Sequence, residues 1–190
     1  AACALASSCL SLYGQAPQDP DPKERVKIAR ELGKQGSEAI ARLQPMLSDP
    51  VPEVRIETVK AIVNIGTQAS LDPLIQATLD SDPEVQIRAT DGLVNFYYPG
   101  YVEQGLSASL RRVSNFFKQT FTQGPDVVIP AYVTVRPEVI EALGKLARGG
   151  VNMTVRANAA HAIGILRGQA ALPDLYEALR SKDDVVMYES

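Results

Sequence analysis

The stretch from Asp49 to Arg55 reads Asp-Pro-Val-Pro-Glu-Val-Arg, and it opens a run of apolar residues with helical spacing. A related phrase, Asp-Pro-Glu-Val, returns at Asp82–Val85 ahead of a similar run. Two Val-Arg pairs, Val135-Arg136 and Val155-Arg156, open the same spacing again. Self-similarity of this kind is typical of repeat architectures, so the sequence predicts an array of stacked units.

Each run predicts one amphipathic helix, which begins a unit. The apolar residues fall on one face at 3.6 residues per turn. Asp before Pro is a start signal, because Asp accepts hydrogen bonds from unpaired N–H groups and Pro fits the first turn. We therefore expect Asp49 and Asp82 to begin first helices. Small residues share one position in each run and predict close helix approach: Ala61, Gly92, Ala142 and Ala162.

A second, shorter apolar pattern follows in three of the units and predicts a second helix in each. Its members are Ile40, Leu43 and Leu47, then Leu71, Leu74 and Leu79, then Leu172, Leu175 and Leu179. Gly36, Gly66 and Gly168 separate the two patterns, and Gly after a helix predicts a left-handed turn. Neither helix can bury its apolar stripe alone, so the units must stack side by side.

These features resemble HEAT-like repeats, in the short form known from the phycobilisome-lyase-type subgroup. The resemblance covers most of residues 23–190 and rests on the Asp-Pro-x-Val-Arg-type start, the Ala-Leu/Ile pair and the Gly turn. It implies an all-α fold, a right-handed α-solenoid of stacked helix pairs with a HEAT/armadillo-like superhelix. Such solenoids serve many unrelated tasks, so the resemblance implies a fold and leaves the role open.

The units are not all alike. Residues 23–47 are a polar version that suits an N-terminal cap, and Pro45 is expected to shorten the second helix there. The unit that begins at Val135 and the next are joined by Arg148-Gly149-Gly150, with no evident second helix between them. Residues 183–190 start another first helix and stop, so we expect the last repeat to be truncated.

An insertion at about residues 97–134 interrupts the period, and eight of the eleven aromatic residues lie between Phe96 and Tyr132. Helical spacing predicts an inserted amphipathic helix with apolar residues Leu106, Leu110, Val113, Phe117 and Phe121. Two interpretations of the aromatic residues remain open. They form a local core that holds the insertion on the solenoid, or Tyr97, Tyr98, Tyr101 and Phe116 form part of a binding surface.

Three arginines, Arg55, Arg136 and Arg156, recur at helix starts and form a second candidate binding set. They would line up along one edge of the array. The alternative is that they pair with first-turn acids of neighbouring units. The formal net charge of -3 gives no basis for a nucleic-acid partner, because a phosphate-binding surface needs an excess of Lys and Arg.

Residues 1–16 are small, apolar and uncharged, and residues 17–22 are a polar linker. The first segment predicts the remnant of a signal peptide and hence a bacterial protein that is exported, periplasmic, secreted or membrane-tethered; the alternative is the cytoplasm. The stretch Leu5–Cys9 loosely resembles a lipoprotein box, which would place a lipid on Cys9.

The sequence shows no catalytic motif. His161 is the sole histidine, and one imidazole makes neither a zinc site nor a triad, so a surface side chain is expected. The His-Glu pairs of HEAT-like deoxyhypusine hydroxylases are absent. A HEAT-like DNA glycosylase would need a basic groove that this charge balance does not predict. No cofactor and no metal are expected.

We therefore interpret the chain as a non-enzymatic protein-protein interaction scaffold that uses an extended α-solenoid surface. The alternative is a bilin lyase-like or other small-ligand-binding HEAT-repeat enzyme, because the groove of such an array can hold a tetrapyrrole. The identity of the protein partner lies beyond the sequence.

Overall fold

The computed structural model describes residues 21–102 and 128–180, and within these ranges every regular element is a helix. The α-helices are α1 (Pro22–Leu32), α2 (Ile40–Leu43), α3 (Pro52–Ile65), α4 (Leu71–Ala77), α5 (Pro83–Tyr97), α6 (Pro137–Gly149), α7 (Met153–Ile165) and α8 (Leu172–Ala178). Short 3-10 turns at Ser37–Ala39, Gln68–Ser70 and Gln169–Ala171 lead into α2, α4 and α8, and Gln44–Ser48 extends α2.

The helices stack in two rows, which confirms the predicted α-solenoid. One row, here the first-helix row, holds α1, α3, α5 and α7, each packed on the next. The second-helix row holds α2, α4, α6 and α8; the 3-10 turn after α2 contacts α4, α4 contacts α6, and α6 contacts α8. One continuous cluster of buried apolar side chains runs between the rows.

The position of α6 corrects one expectation. Val135-Arg136 was expected to open a first helix, but α6 contacts α4 and α8, whereas α7 takes the place beside α5. That prediction is wrong, and α6 is the second helix of the unit that α5 begins. Helices of both rows bury one face, so apolar spacing cannot tell a first helix from a second helix. In addition, residues 98–136 separate α5 from α6 in the sequence. No second helix is missing at Arg148–Gly150.

The two Asp-Pro signals behave differently. Asp82 caps α5 as predicted, because its Oδ1 accepts hydrogen bonds from the Glu84 N–H at 2.8 Å and the Val85 N–H at 3.2 Å. Asp49 does not cap α3, and that expectation is wrong. A residue before proline avoids the helical conformation, so Val51 stays extended (φ −95°, ψ 118°) and the helix begins at Pro52.

The turns also follow local rules with one exception. Gly66 is left-handed, with φ 58°, as predicted, and α2 ends before Pro45 and continues only as a 3-10 turn. Gly168 is not left-handed, since Arg167 takes that conformation with φ 53°. Glycine is needed at position 168 for space, because a Cβ there would lie 3.0 Å from Ile140 Cδ1 and Ile163 Cγ2.

Several predictions fall on residues outside the described ranges. They concern the leader at residues 1–16, the inserted amphipathic helix, Phe116 and the last, truncated repeat. These stay predictions, and so do the right hand of the superhelix and the site of export.

Close packing in the first-helix row depends on Gly92 of α5. A Cβ added there would lie 2.4 Å from Val63 Cγ2 on α3 and 3.2 Å from Leu74 Cδ1 on α4. Those distances are shorter than van der Waals contact, so any larger residue must displace the Val63 and Leu74 side chains or α5 itself. Gly92 therefore sets the spacing between units two and three.

We expect Gly92→Ala to lower the free energy of unfolding by about 1–3 kcal/mol, the usual cost of overpacking. Urea unfolding followed by circular dichroism measures it. Gly164→Ala is the matched control, because nothing lies within 4 Å of a Cβ at that helical position. The control should gain up to ~1 kcal/mol from higher helix propensity. Equal stability of the two variants would contradict the packing argument.

Candidate functional site

A line of hydrogen bonds, here called the ladder, joins the units along the edge where second helices lead into first helices. It starts with Arg25, which lies three residues after the first residue of α1. Its Nε donates to Asp49 Oδ2 at 2.7 Å and its Nη2 to Asp49 Oδ1 at 3.0 Å. Both residues are buried, so this bidentate pair fixes α1 to the turn before α3.

Arg55 occupies the same position in α3 and extends the ladder in both directions. Its Nε and Nη2 donate to the carboxylate of Asp80 at 2.7 Å and 2.9 Å, in the turn before α5. Its Nη1 donates to the carbonyl oxygen of Asp49 at 2.9 Å. Asp49 thus accepts from one arginine through its side chain and from the next through its backbone.

Gln86 and Arg156 occupy this position in α5 and α7 and continue the ladder with neutral acceptors. Gln86 donates to the Thr78 carbonyl at 3.1 Å and accepts from the Val151 N–H at 3.2 Å. Arg156 Nε donates to the Ala147 carbonyl at 3.1 Å. The ladder therefore reaches all the units in the described ranges.

Arg136 lies apart from the other two predicted arginines. It precedes α6 in the second-helix row, where it donates to Asp72 at 2.7 Å and to Glu138 at 3.3 Å. The structure thus brings Arg55 and Arg156 into the ladder and leaves Arg136 outside it. All three guanidinium groups hold partners within the chain, which favours the structural interpretation of this set.

Hydrogen bonds within the ladder shift the pKa values of Asp49 and Arg55. Burial alone would raise the pKa of the Asp49 carboxyl, but hydrogen bonds from Arg25 and the Val51 N–H outweigh burial and hold that pKa below its usual value. The hydrogen bond to Asp80 raises the pKa of Arg55. Because the folded pKa of Asp49 is depressed, its stabilising contribution is present above the unfolded pKa and is lost as pH falls through the folded value.

We expect Asp49→Asn to lower stability at pH 7 and to flatten the loss of stability below about pH 4, where an unfolded Asp titrates. The amide has one acceptor oxygen where the carboxylate has two, so it cannot form the bidentate pair, and it does not titrate. Urea unfolding at a series of pH values measures both effects. Gln44→Asn, an exposed change that titrates nothing, gives the baseline. An acid slope equal to that of the unmodified chain would contradict the ladder's role.

The solvent side of the first-helix row forms a second candidate surface, here called the polar face. In each first helix the residues one, five and eight positions after the first residue point outward or into polar contacts. They are Lys23, Lys27 and Arg30; Glu53, Glu57 and Lys60; Glu84, Arg88 and Asp91; and Thr154, Asn158 and His161. Sequence reasoning missed this set, although its spacing was readable once the helices had been aligned.

Polar contacts cross the polar face between helices. Arg30 Nε donates to Glu57 Oε1 at 3.1 Å, which joins α1 to α3. Asn158 Nδ2 donates to Asp91 Oδ1 at 3.2 Å, which joins α7 to α5. His161 is exposed, as predicted. The face is thus a continuous strip of charged and amide groups, most accessible at its two ends.

The middle of the polar face is covered. Arg88 and Asp91 are only 7% and 6% exposed, and Val102, at the start of the insertion, lies against them. The Val102 N–H donates to Asn95 Oδ1 at 3.0 Å, which fixes this first part of the insertion on α5. The gap between Lys60, Arg88 and Val102 is about 10 Å³, which is room for about one water.

The N-terminal end of the polar face borders a shallow, largely open hollow of about 360 Å³ between α1 and the start of α3. Val26 and Val51, both packed against the core, lie at its base. Its charged walls are Lys23, Lys27 and Arg30 from α1 and Glu53 from α3. We call this the N-terminal hollow.

The predicted aromatic site is partly integrated into the fold. Tyr97, Tyr98 and Tyr101 are half-buried and pack against the core. The Tyr97 hydroxyl accepts a hydrogen bond from the Arg136 N–H at 3.1 Å, and the Phe96 and Tyr97 rings meet edge to face at 5.0 Å. On the return side, Ile129 is buried and its N–H donates to the Ile165 carbonyl at 2.9 Å. These contacts favour the local-core interpretation for the described tyrosines.

We expect Tyr97→Phe to cost about 1 kcal/mol of local stability, because the Arg136 N–H then loses its acceptor. The hydrogen-exchange rate of the Arg136 amide should rise by about fivefold, the factor that corresponds to that energy. Tyr132→Phe is the matched control, since that ring is 86% exposed. An unchanged exchange rate at Arg136 in the Tyr97 variant would show that the bond does not hold the insertion.

Among residues 21–102 and 128–180, no group of three or more His, Cys, Asp or Glu side chains is placed to hold a metal ion. In the same ranges, no helix has the length and apolar character that a membrane span requires.

Comparison with known proteins gives the repeat family. A family model described as HEAT repeats matches residues 12–94, and one described as PBS lyase HEAT-like repeat matches residues 155–181. A search of curated proteins finds no match. Among solved structures, a crystal structure of an engineered protein is similar at 20% identity, covering 90% of this chain and 91% of that one, with a TM-score of 0.35.

Proposed function

Because the chain is a HEAT-repeat protein, we propose that it serves as a non-enzymatic scaffold that binds another protein along its polar face. The observation that carries the proposal is that structural contacts and outward-facing polar side chains occupy different positions of the first helices. One set of positions carries the ladder and the core contacts, and another carries polar side chains in every first helix, with the most accessible ones on α1 and α7. A partner that contacts several units gains from their fixed spacing, because little order must be created on binding.

The two ends of the polar face support this proposal most directly. At one end Lys23 and Lys27 are exposed, and at the other Thr154 and His161 are exposed. Polar residues that are exposed and mutually positioned by rigid helices suit recognition of a protein surface, where polar contacts form the rim. The buried centre at Arg88 and Asp91 makes the two ends the accessible recognition elements.

A bilin lyase-like activity is the second candidate. Its support is the match of residues 155–181, which cover most of α7 and α8, to the PBS lyase HEAT-like repeat model. One helix pair is a short resemblance, and HEAT-like pairs occur in proteins of unrelated activity. The candidate predicts that a tetrapyrrole binds the chain and shifts its absorption spectrum.

The test is a capture experiment with the full chain immobilised and native extract of the source cells as prey. Thr154→Lys with His161→Lys changes the exposed end of the polar face on α7. We expect capture of a specific protein to fall by about tenfold, because two longer, charged side chains at the contact disturb the fit between the two surfaces. Gln76→Lys with Gln169→Lys is the matched control, because it adds the same charge at exposed positions beside the second-helix row.

Equal capture by the two double variants would contradict binding along the polar face. Absence of any captured protein, together with a pigment that co-purifies with the chain, would overturn the scaffold proposal in favour of the second candidate. Circular dichroism must show equal helix content for each variant.

A further inference from the structure

The first turn of α7 holds a thioether beside a guanidinium group. Met153 is the first residue of α7, and Arg156 follows three residues later, so the two side chains lie on one face of the helix. Arg156 Nη1 donates a hydrogen bond to Met153 Sδ at 3.4 Å. A thioether is a weak acceptor, so this bond contributes little to stability in that form. The geometry nevertheless places a strong, charged donor next to the sulfur atom.

The sulfur atom of Met153 is also accessible to small solutes. Met153 is 42% exposed, whereas Met46 lies fully buried in the core. An oxidant dissolved in water must reach the sulfur, and oxidation converts the apolar thioether into a polar sulfoxide. Of these two methionines, only Met153 therefore combines access for an oxidant with a donor for the oxygen that the reaction adds.

We propose that Met153 is a site of reversible oxidation and that Arg156 holds its sulfoxide. In the reaction, a sulfur lone pair attacks one oxygen atom of hydrogen peroxide, the S–O bond forms, the O–O bond breaks, and one molecule of water leaves. The sulfur loses two electrons and the peroxide gains them. A methionine sulfoxide reductase reverses the change with electrons from a thiol, and the oxygen leaves as water.

The guanidinium can bind the sulfoxide without leaving the ladder. Arg156 Nε donates to the Ala147 carbonyl at 3.1 Å, and the sulfoxide uses a different nitrogen, Nη1. A hydrogen bond from a charged donor is about twice as strong as one between neutral groups. Oxidation at Met153 therefore reinforces the first turn of α7. This is the opposite of its usual effect in a core, where the sulfoxide brings a polar group into apolar packing.

This turn adjoins the accessible end of the polar face. Thr154, one residue after Met153, is exposed there. The reduced side chain presents an apolar surface beside Thr154, and the oxidised side chain presents a fixed dipole in its place. The proposal concerns this turn alone, so it does not depend on the scaffold function.

The experiment treats the full chain with dilute hydrogen peroxide and follows each methionine in its own peptide by mass spectrometry. We expect Met153 to gain an oxygen atom at least about tenfold faster than Met46, because the buried sulfur is shielded from solvent. Amide hydrogen exchange then reports on the first turn of α7, where the Val155 and Arg156 N–H groups both donate to Asn152.

Exchange at these two amides should slow by about fivefold in the oxidised chain, the effect of one additional net hydrogen bond. Treatment with methionine sulfoxide reductase should restore the original rate, because it removes the acceptor oxygen.

Variants assign the effect to the pair. Arg156→Gln is the matched variant, because Gln86 at the same position of α5 shows that an amide can hold the adjoining carbonyl. It removes the charged donor, so oxidation should no longer slow exchange. Met153→Leu stays apolar under peroxide and shows any effect of Met187, which lies outside the described residues. Met153→Gln carries a permanent acceptor and should exchange slowly without peroxide.

Four results would overturn the proposal. The first is oxidation of Met153 no faster than that of Met46, and the second is unchanged or faster exchange in the oxidised chain. The third is equal slowing in Arg156→Gln, because the guanidinium would then not hold the sulfoxide. The fourth is equal slowing in Met153→Leu, because another residue would then be responsible.

Discussion

The stacking of this array depends on one position in each first helix, where a long side chain reaches the backbone or carboxylate of an adjoining turn. Arg25 holds Asp49, whose backbone carbonyl is held in turn by Arg55. Apolar packing alone specifies that helices associate and leaves their axial register loosely defined. A bidentate guanidinium-carboxylate pair has one geometry, so the ladder fixes register while the core supplies most of the stabilisation.

In the third unit this position holds Gln86 in place of an arginine, so a neutral side chain links the units there. Gln86 both donates and accepts, and it therefore connects the turn before α5 to the turn before α7 through one amide. A guanidinium there would find no acceptor in the Val151 N–H. The residue type at this position depends on which donors and acceptors the adjoining turns offer. The position therefore links neighbouring units in every repeat of this chain, although its side chain differs from one repeat to the next.

Much of the local structure could be predicted from the sequence, because its causes are local. Asp82-Pro83 starts a helix and Gly66 ends one through interactions within a few residues. The row to which α6 belongs could not be predicted, since it depends on contacts with α4 and α8 that apolar spacing does not encode. The N-terminal hollow was missed for a related reason: its walls come from two units, and each cation alone reads as an ordinary surface residue.

The place of the insertion within a unit has a consequence for how the chain folds. Neighbours in an ideal solenoid are close in sequence, but α5 and α6 are separated by residues 98–136. Bringing together two helices that are so far apart in sequence costs more entropy than closing the short turn between α6 and α7. The hairpin of α6 and α7 can therefore form early with α8, independently of α1 to α5. We therefore expect the docking of this part on α1 to α5, which includes the hydrogen bond between Tyr97 and Arg136, to be the non-local step of folding.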